Sequence, residues 1–166
     1  MSELVERVDA HDRVLGVVDR AEAVRRGWLH RIATIVCRDV EGRFLVHRRP
    51  DHSPRFPGQY NWMLGGAVAV GESYEAAAAR ELEEELGVRA APRLVLTFLC
   101  AGAISPYWLG LHEARITTPV RPDSREVTRH DWLDASALET LTRTREFVPD
   151  AREAYDRYRA EGRVLG

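Results

Sequence analysis

The sequence predicts an α/β (α+β) fold in which a mixed β-sheet is sandwiched between α-helices. Three observations predict it. Strand-like apolar runs broken by turn residues fill the stretches 14–68 and 94–116; one long helical segment, 73–86, separates those groups; and two shorter helical segments follow residue 134.

Val14 to Val18 reads as a short strand after the polar turn Asp9-Ala10-His11-Asp12-Arg13, and Asp19 is placed to cap a brief helix ending near Gly27. Ile32 to Cys37 and Phe44 to Arg49 are extended runs. Asp39-Val40-Glu41-Gly42 separates them as a hairpin-like break in which Gly42 takes a positive φ. Pro50 to Tyr60 carries three prolines and a glycine, which excludes a helix and marks a long, functional loop. A strand follows around Trp62 to Val68. Ser73 to Leu86 is the clearest helix: Ser73 is the N-cap, Ala76 to Ala79 are strong helix formers, and Gly87 stands where a C′ glycine ends a helix. Leu94 to Cys100 and Trp108 to Ile116 read as strands joined by a loop with Gly102, Pro106 and Tyr107. Helices near Ala135 to Arg143 and Asp150 to Glu161 complete the chain.

At 166 residues one domain is expected over residues 1–166, and 45% apolar with 30% charged residues excludes disorder and fibrous classes. A net charge of −2 leaves no electrostatic footprint for a nucleic-acid polymer or an anionic membrane. All 24 basic residues are Arg, which excludes a Schiff-base lysine and the phosphate-loop lysine. Cys37 and Cys100 are far apart, without a CxxC pair, and read as buried thiols in a reducing compartment. No signal-like apolar region and no window near ~20 apolar residues occurs, so a soluble, cytoplasmic protein without a membrane span is expected.

From Glu72 to Leu86 stand six glutamates and one arginine. At ~100° per residue, setting Arg80 at zero puts Glu84, Glu81 and Glu85 at about 40°, 100° and 140°. Leu82 and Leu86, with Ala78 and Ala79, occupy the neighbouring arc and face the core, which fixes where the carboxylates point. Glu81 and Glu85 are like charges at i,i+4, unfavourable in a bare helix by a few tenths of a kcal/mol. A divalent cation reverses that sign; the alternative is a plain solvated acidic face.

The flanking residues complete a pattern. Gly66, five residues, Glu72, seven residues and Arg80-Glu81-Leu82-Glu83-Glu84-Glu85-Leu86-Gly87-Val88 satisfy GX5EX7REUXEEXGU, with U aliphatic. The sequence resembles the Nudix hydrolase family in this box. Carboxylate-only ligands suit hard cations, Mg²⁺ or Mn²⁺, over zinc. Arg80 is placed to hold Glu72 or Glu84 by a charge-assisted bond. The resemblance implies a Nudix fold and a diphosphate hydrolase acting on a nucleoside diphosphate or its derivative. It also implies Glu84 and Glu85 as principal metal ligands, Glu81 as a further ligand or water-activating base, and Gly66 as a carbonyl contact, with Glu72 and Arg80 completing the catalytic set.

Weaker matches in chain order extend the resemblance to the isopentenyl-diphosphate isomerase-like branch: Val17-Val18-Asp19, Leu29-His30-Arg31, Leu45-Val46-His47-Arg48-Arg49, Phe56-Pro57-Gly58, Glu126-Val127, Trp132 and Phe147-Val148-Pro149-Asp150. Isomerisation is the alternative function. It needs a cysteine where this chain has Leu64, a histidine where it has Gly66, and a Glu-x-Glu where it reads Ser105-Pro106-Tyr107, so hydrolysis is favoured. A silent nucleotide sensor is a third reading, disfavoured because every box glutamate is present. Arg48 and Arg49 are candidate diphosphate ligands, of which strand alternation sends one to a given face. Glu126 is a candidate extra carboxylate and an alternative general base to Glu81. His30 and His47 read as packing or hydrogen-bonding residues, and Tyr60, Trp62, Tyr107 and Trp108 as core aromatics before base-stacking ones. The expected partner is a small diphosphate, with no polymer and no membrane. A homodimer is compatible with a chain that carries no mark of oligomeric state.

Overall fold

The structure, a computed structural model, describes residues 2–162. The chain opens with an antiparallel hairpin of β1 (Leu4–Val8) and β2 (Val14–Asp19), followed by α1 (Arg20–Arg26). A seven-stranded sheet then assembles from β3 (Arg31–Arg38), β4 (Phe44–Arg48), β5 (Tyr60–Asn61), β6 (Met63–Ala67), β7 (Arg93–Cys100), β8 (Tyr107–Arg115) and β9 (Arg129–Leu133). Between β6 and β7 runs α2 (Tyr74–Leu86), and α3 (Ala135–Thr142) and α4 (Pro149–Ala160) close the chain. β3 is the hub. It pairs in parallel with β8 along its whole length and antiparallel with β6 from Ile32 to Val36, while β4 takes over at Arg38. The sheet is therefore mixed, as the element order predicts.

Side-chain alternation divides two cores between its faces. Ala33, Ile35 and Cys37 of β3 and Leu45 of β4 meet Ala77, Ala78, Leu82 and Leu86 of α2. Val36, Phe44, Val46, Leu109 and Leu111 face the other way, toward Ala151, Tyr155 and Tyr158 of α4. Trp62 centres this second core, edge-on to Tyr158 at 5.1 Å, with its indole N–H donating to the Ala151 carbonyl at 2.9 Å. That bond satisfies the polar handle which makes a buried Trp costly. The predicted caps are in place: Asp19 accepts from Glu22 N, Ser73 from Ala76 N, and Gly27 and Gly87 take left-handed conformations. Gly42 closes its hairpin at φ 79°. Among the described residues no helix is long and apolar enough to cross a membrane.

Three features depart from the sequence expectation. β1 was not legible because Leu4-Val5-Glu6-Arg7-Val8 alternates weakly, and its strand character comes from pairing with β2. β9, Arg-His-Asp-Trp-Leu, reads as polar loop and is a strand because β4 offers it a free edge from Phe44 to Arg48. On α2 the buried alanines are Ala77 and Ala78; Ala79, expected in the core, is only half-buried. The apolar arc is rotated toward Ala77, which turns Glu81 and Glu85 inward.

Candidate active site

α2 lies across β3 and β6 with Leu82 and Leu86 fully buried, so its carboxylate arc is aimed at the end of β6. Gly65 and Gly66 of β6 allow that approach. A Cβ on Gly65, at φ 154°, would stand 2.0 Å from the Ala33 carbonyl oxygen, and one on Gly66 would stand 2.5 Å from Glu81 Oε1. Backbone bars any side chain at Gly65, whereas one at Gly66 would have to displace the Glu81 carboxylate. The glycine of the box thus makes room for the Glu81 carboxylate.

Arg80 organises the neighbouring acids. Its Nε and Nη2 donate to the two oxygens of Glu72, each at 2.9 Å, in a bidentate fork. Nη1 donates to Glu81 at 2.8 Å and more distantly to Glu84 at 3.5 Å, and Nη2 also reaches the Ala67 carbonyl. Glu72 additionally accepts from Ala69 N at 2.9 Å, which ties the turn before α2 to the helix. The Arg80 bond holds the Glu72 carboxyl below its usual range, and the same bonds raise Arg80. Of the two partners expected for Arg80, Glu72 is the main one and Glu84 the weaker; the bond to Glu81 was not foreseen.

Glu81, Glu84, Glu85 and Glu126 line one cleft. Their exposures differ: the Glu81 side chain is 13% exposed and that of Glu84 is 58%. Burial raises Glu81, with Arg80 opposing. Glu85 is pushed up to about 9, first by burial and then by the charges of Glu81, Glu126 and Glu84, with the Gly65 backbone opposing. Its Oε2 is buried without a hydrogen-bond partner. Among the described residues no three His, Cys, Asp or Glu side chains are already converged on one point as a metal cage. The partnerless oxygen of Glu85, in a cleft with three further glutamates, is an environment that a hard divalent cation would suit. The donor set, all oxygen, fits Mg²⁺ or Mn²⁺.

Arg20, Arg49 and Arg55 line the same cleft. Alternation has separated the arginine pair. Arg49 faces the cleft, braced by bonds from Nε to the Arg55 carbonyl and from Nη2 to Ser53 Oγ, both 2.8 Å. Arg48 pairs with Asp51 at 2.6 Å and lines neither the cleft nor the cavity behind it, so of the two candidate arginines the structure brings Arg49 to the glutamates. Arg20 and Arg55 were missed. Arg20 follows a helix cap and Arg55 sits in the proline-rich loop, and only that loop's composition hinted at function.

Behind the cleft, sharing Arg20, Arg49, Arg55, Glu85 and Glu126 with it, is a cavity of about 190 Å³. Ile32, Met63, Leu64, Phe56 and Val148 give it apolar walls, and His30 and His47 also line it. Both histidines are buried, and burial holds each at about 4; the Arg20 guanidinium adds to the effect on His30, against the Trp28 backbone. Tyr60, Trp62 and Trp108 are absent from the walls, and Tyr107 is present. Cys37 and Cys100 lie elsewhere in the cores, their thiols pushed up to about 12 by burial, so neither is a nucleophile.

The NUDIX domain family matches residues 28–158. An uncharacterized Nudix hydrolase of Streptomyces coelicolor is 42% identical over 95% of this chain and 89% of its own length. A prenyl-diphosphate phosphatase of Methanosarcina mazei is 28% identical over 96% of both chains, and an isopentenyl-diphosphate Delta-isomerase of Nocardia farcinica is 36% identical over 78% of both. A solved structure from Deinococcus radiodurans superposes with a TM-score of 0.79 at 25% identity, covering 93% of this chain and 98% of that one. The helix that carries the carboxylates, the glycines that admit them and the arginine that braces them all fall inside the matched stretch, and the chain belongs to the Nudix hydrolase family.

Proposed function

We propose that the protein cleaves the diphosphate linkage of a nucleoside diphosphate or a nucleoside diphosphate derivative by attack of water at phosphorus, with Mg²⁺ or Mn²⁺ in the cleft. The observation that carries this reading is that one cleft is lined by both charge types: Glu81, Glu84, Glu85 and Glu126 together with Arg20, Arg49 and Arg55. A bound divalent cation neutralises charge on the phosphoryl oxygens and lowers the pKa of a nearby water.

Glu84 and Glu85 would hold the cation, with the Gly66 carbonyl as a further, neutral oxygen donor. Glu81, kept in place by Arg80, is a further ligand or takes the proton from the attacking water; Glu126 is the alternative proton acceptor. Arg80 and Glu72 act as positioning residues, since their shared fork ties the start of α2 to its acidic arc. Arg49, with Arg20 and Arg55, donates to the non-bridging oxygens of the diphosphate and fixes the phosphorus for in-line attack. The organic group enters the cavity behind them.

The test is release of phosphate or nucleoside monophosphate from a panel of nucleoside diphosphates, nucleotide sugars, dinucleotides, coenzyme A and isopentenyl diphosphate, with Mg²⁺, with Mn²⁺ and with chelator. Metal-dependent cleavage is expected. Isomerised prenyl diphosphate, or tight nucleotide binding without turnover, would replace the hydrolase by an isomerase or a sensor. A second substrate reading, a prenyl diphosphate, has two supports: the apolar cavity walls and the activity named for the Methanosarcina mazei relative.

A further inference from the structure

We propose that His47 and His30 make the cavity a reader of a neutral hydrogen-bond donor, a hydroxyl or amino group on the organic part of the substrate, and so set the enzyme against purely hydrocarbon diphosphates. This rests on the hydrolase reading of the adjoining cleft and decides between its two substrate classes.

The geometry of His47 fixes its tautomer. Its Nε2 lies 2.6 Å from the Met63 carbonyl oxygen, which can only accept, so Nε2 carries the proton. The ring is buried and neutral, which leaves Nδ1 a bare lone pair, and Nδ1 is buried without a hydrogen-bond partner. An acceptor in that state is met by a donor, and phosphate oxygens offer none at neutral pH. His30, also buried, completes no hydrogen bond of good geometry at either ring nitrogen, so it can give one and take one. His47 lies on β4 and His30 just before β3, and both line the same cavity, whose other walls mix apolar side chains with Thr34, Asn61, Ser105 and Asp150.

Buried polar atoms without partners are rare in folded proteins, and these belong to two residues that line a cavity sharing walls with the reaction cleft. A dimethylallyl or isopentenyl tail placed here would leave these nitrogens unmet. A ribosyl, sugar or other hydroxylated group supplies the missing donor while its carbon skeleton covers Met63, Leu64 and Phe56. Sites built to bond a hydroxyl reject the analogue lacking it far more strongly than apolar pockets reject an extra one.

The experiment compares kcat/KM for dimethylallyl diphosphate, its 4-hydroxy derivative and a ribose-bearing diphosphate, in the wild type and in His47→Gln. Glutamine keeps an amide N–H for the Met63 carbonyl and moves the acceptor away from the Nδ1 position, to its own Oε1. The wild type is expected to favour the hydroxylated substrates by about 10- to 100-fold, and His47→Gln to narrow that ratio at least tenfold. Equal or better hydrolysis of dimethylallyl diphosphate by the wild type would overturn the proposal, as would a variant that lowers all three rates in proportion. Ring-nitrogen NMR on the wild type gives a test independent of folding of the variant and of turnover: the His47 Nδ1 resonance must shift toward a hydrogen-bonded value with a hydroxylated diphosphate and not with the hydrocarbon one, and the reverse result also overturns it. Absence of turnover on every diphosphate would instead defeat the hydrolase reading, while the nitrogen shift still tests the cavity.

Discussion

Glu85 shows how a single side chain can be unfavourable to the fold and still belong to it. Its carboxyl is buried, partly orphaned and crowded by like charges, conditions that raise it to about 9. Glu85→Gln and Glu84→Gln are expected to lower turnover by about 10²-fold or more without loss of folding, read by phosphate release beside thermal unfolding. Glu85→Gln should leave the metal-free protein as stable as the wild type or more so. Full activity in both variants would remove the mechanism. Gly66→Ala isolates a different contribution. The added methyl would meet Glu81 Oε1 at 2.5 Å and push the carboxylate off its Arg80 bond, so at least a tenfold loss in kcat is expected with circular dichroism unchanged.

At the scale of the element, α2 must serve the core and the cleft with opposite faces. Leu82 and Leu86 supply the anchoring, and Ser73 and Gly87 the ends. Leu82→Ala is expected to cost roughly 2–5 kcal/mol in denaturant unfolding because a fully buried side chain leaves a cavity in a packed layer. Ser73→Ala should cost about 1 kcal/mol through loss of the bond from Ala76 N. A Leu82→Ala change within the few tenths expected of a surface site would mean that α2 is not seated as described. The β3–β8 pair is the other key element, since it is the parallel ladder about which both cores are arranged.

For the whole molecule the measurable quantity is global stability. His47 is held at about 4 against 6.5 when unfolded, so the folded state binds fewer protons between those values. The sign follows: this contribution is complete above pH 6.5 and is lost as pH falls toward 4, amounting to at most about 3 kcal/mol. His30 acts in the same direction, and Glu85, raised in the fold, acts oppositely as pH rises. The difference between wild type and His47→Gln isolates the histidine, and its unfolding free energy should grow as pH is raised from 4 to 6.5. A flat difference would mean that His47 is protonated in the fold. Mg²⁺ or Mn²⁺ should raise the melting temperature of the wild type in a concentration-dependent way, and much less that of a Glu84→Gln, Glu85→Gln double variant.

Helix α2, its caps, the break at Gly42 and the spacing from Gly66 to Val88 were legible in the sequence because each rests on local physics: period, capping and the φ freedom of glycine. The presence of Arg80 and the box glutamates was equally legible, and with it the family. Tertiary structure alone decided which groups meet. β1 and β9 are strands because a neighbour's edge is free, Ala77 rather than Ala79 is buried because the sheet sets the rotation of α2, and Arg49 rather than Arg48 faces the cleft because one register was chosen over the other. Arg20 and Arg55 carry no motif, and His30 and His47 fall only in the weaker matches outside the box. They are brought to the glutamates by long-range packing, and contacts between residues distant in the chain are set by the balance of the whole core rather than by the residues beside them.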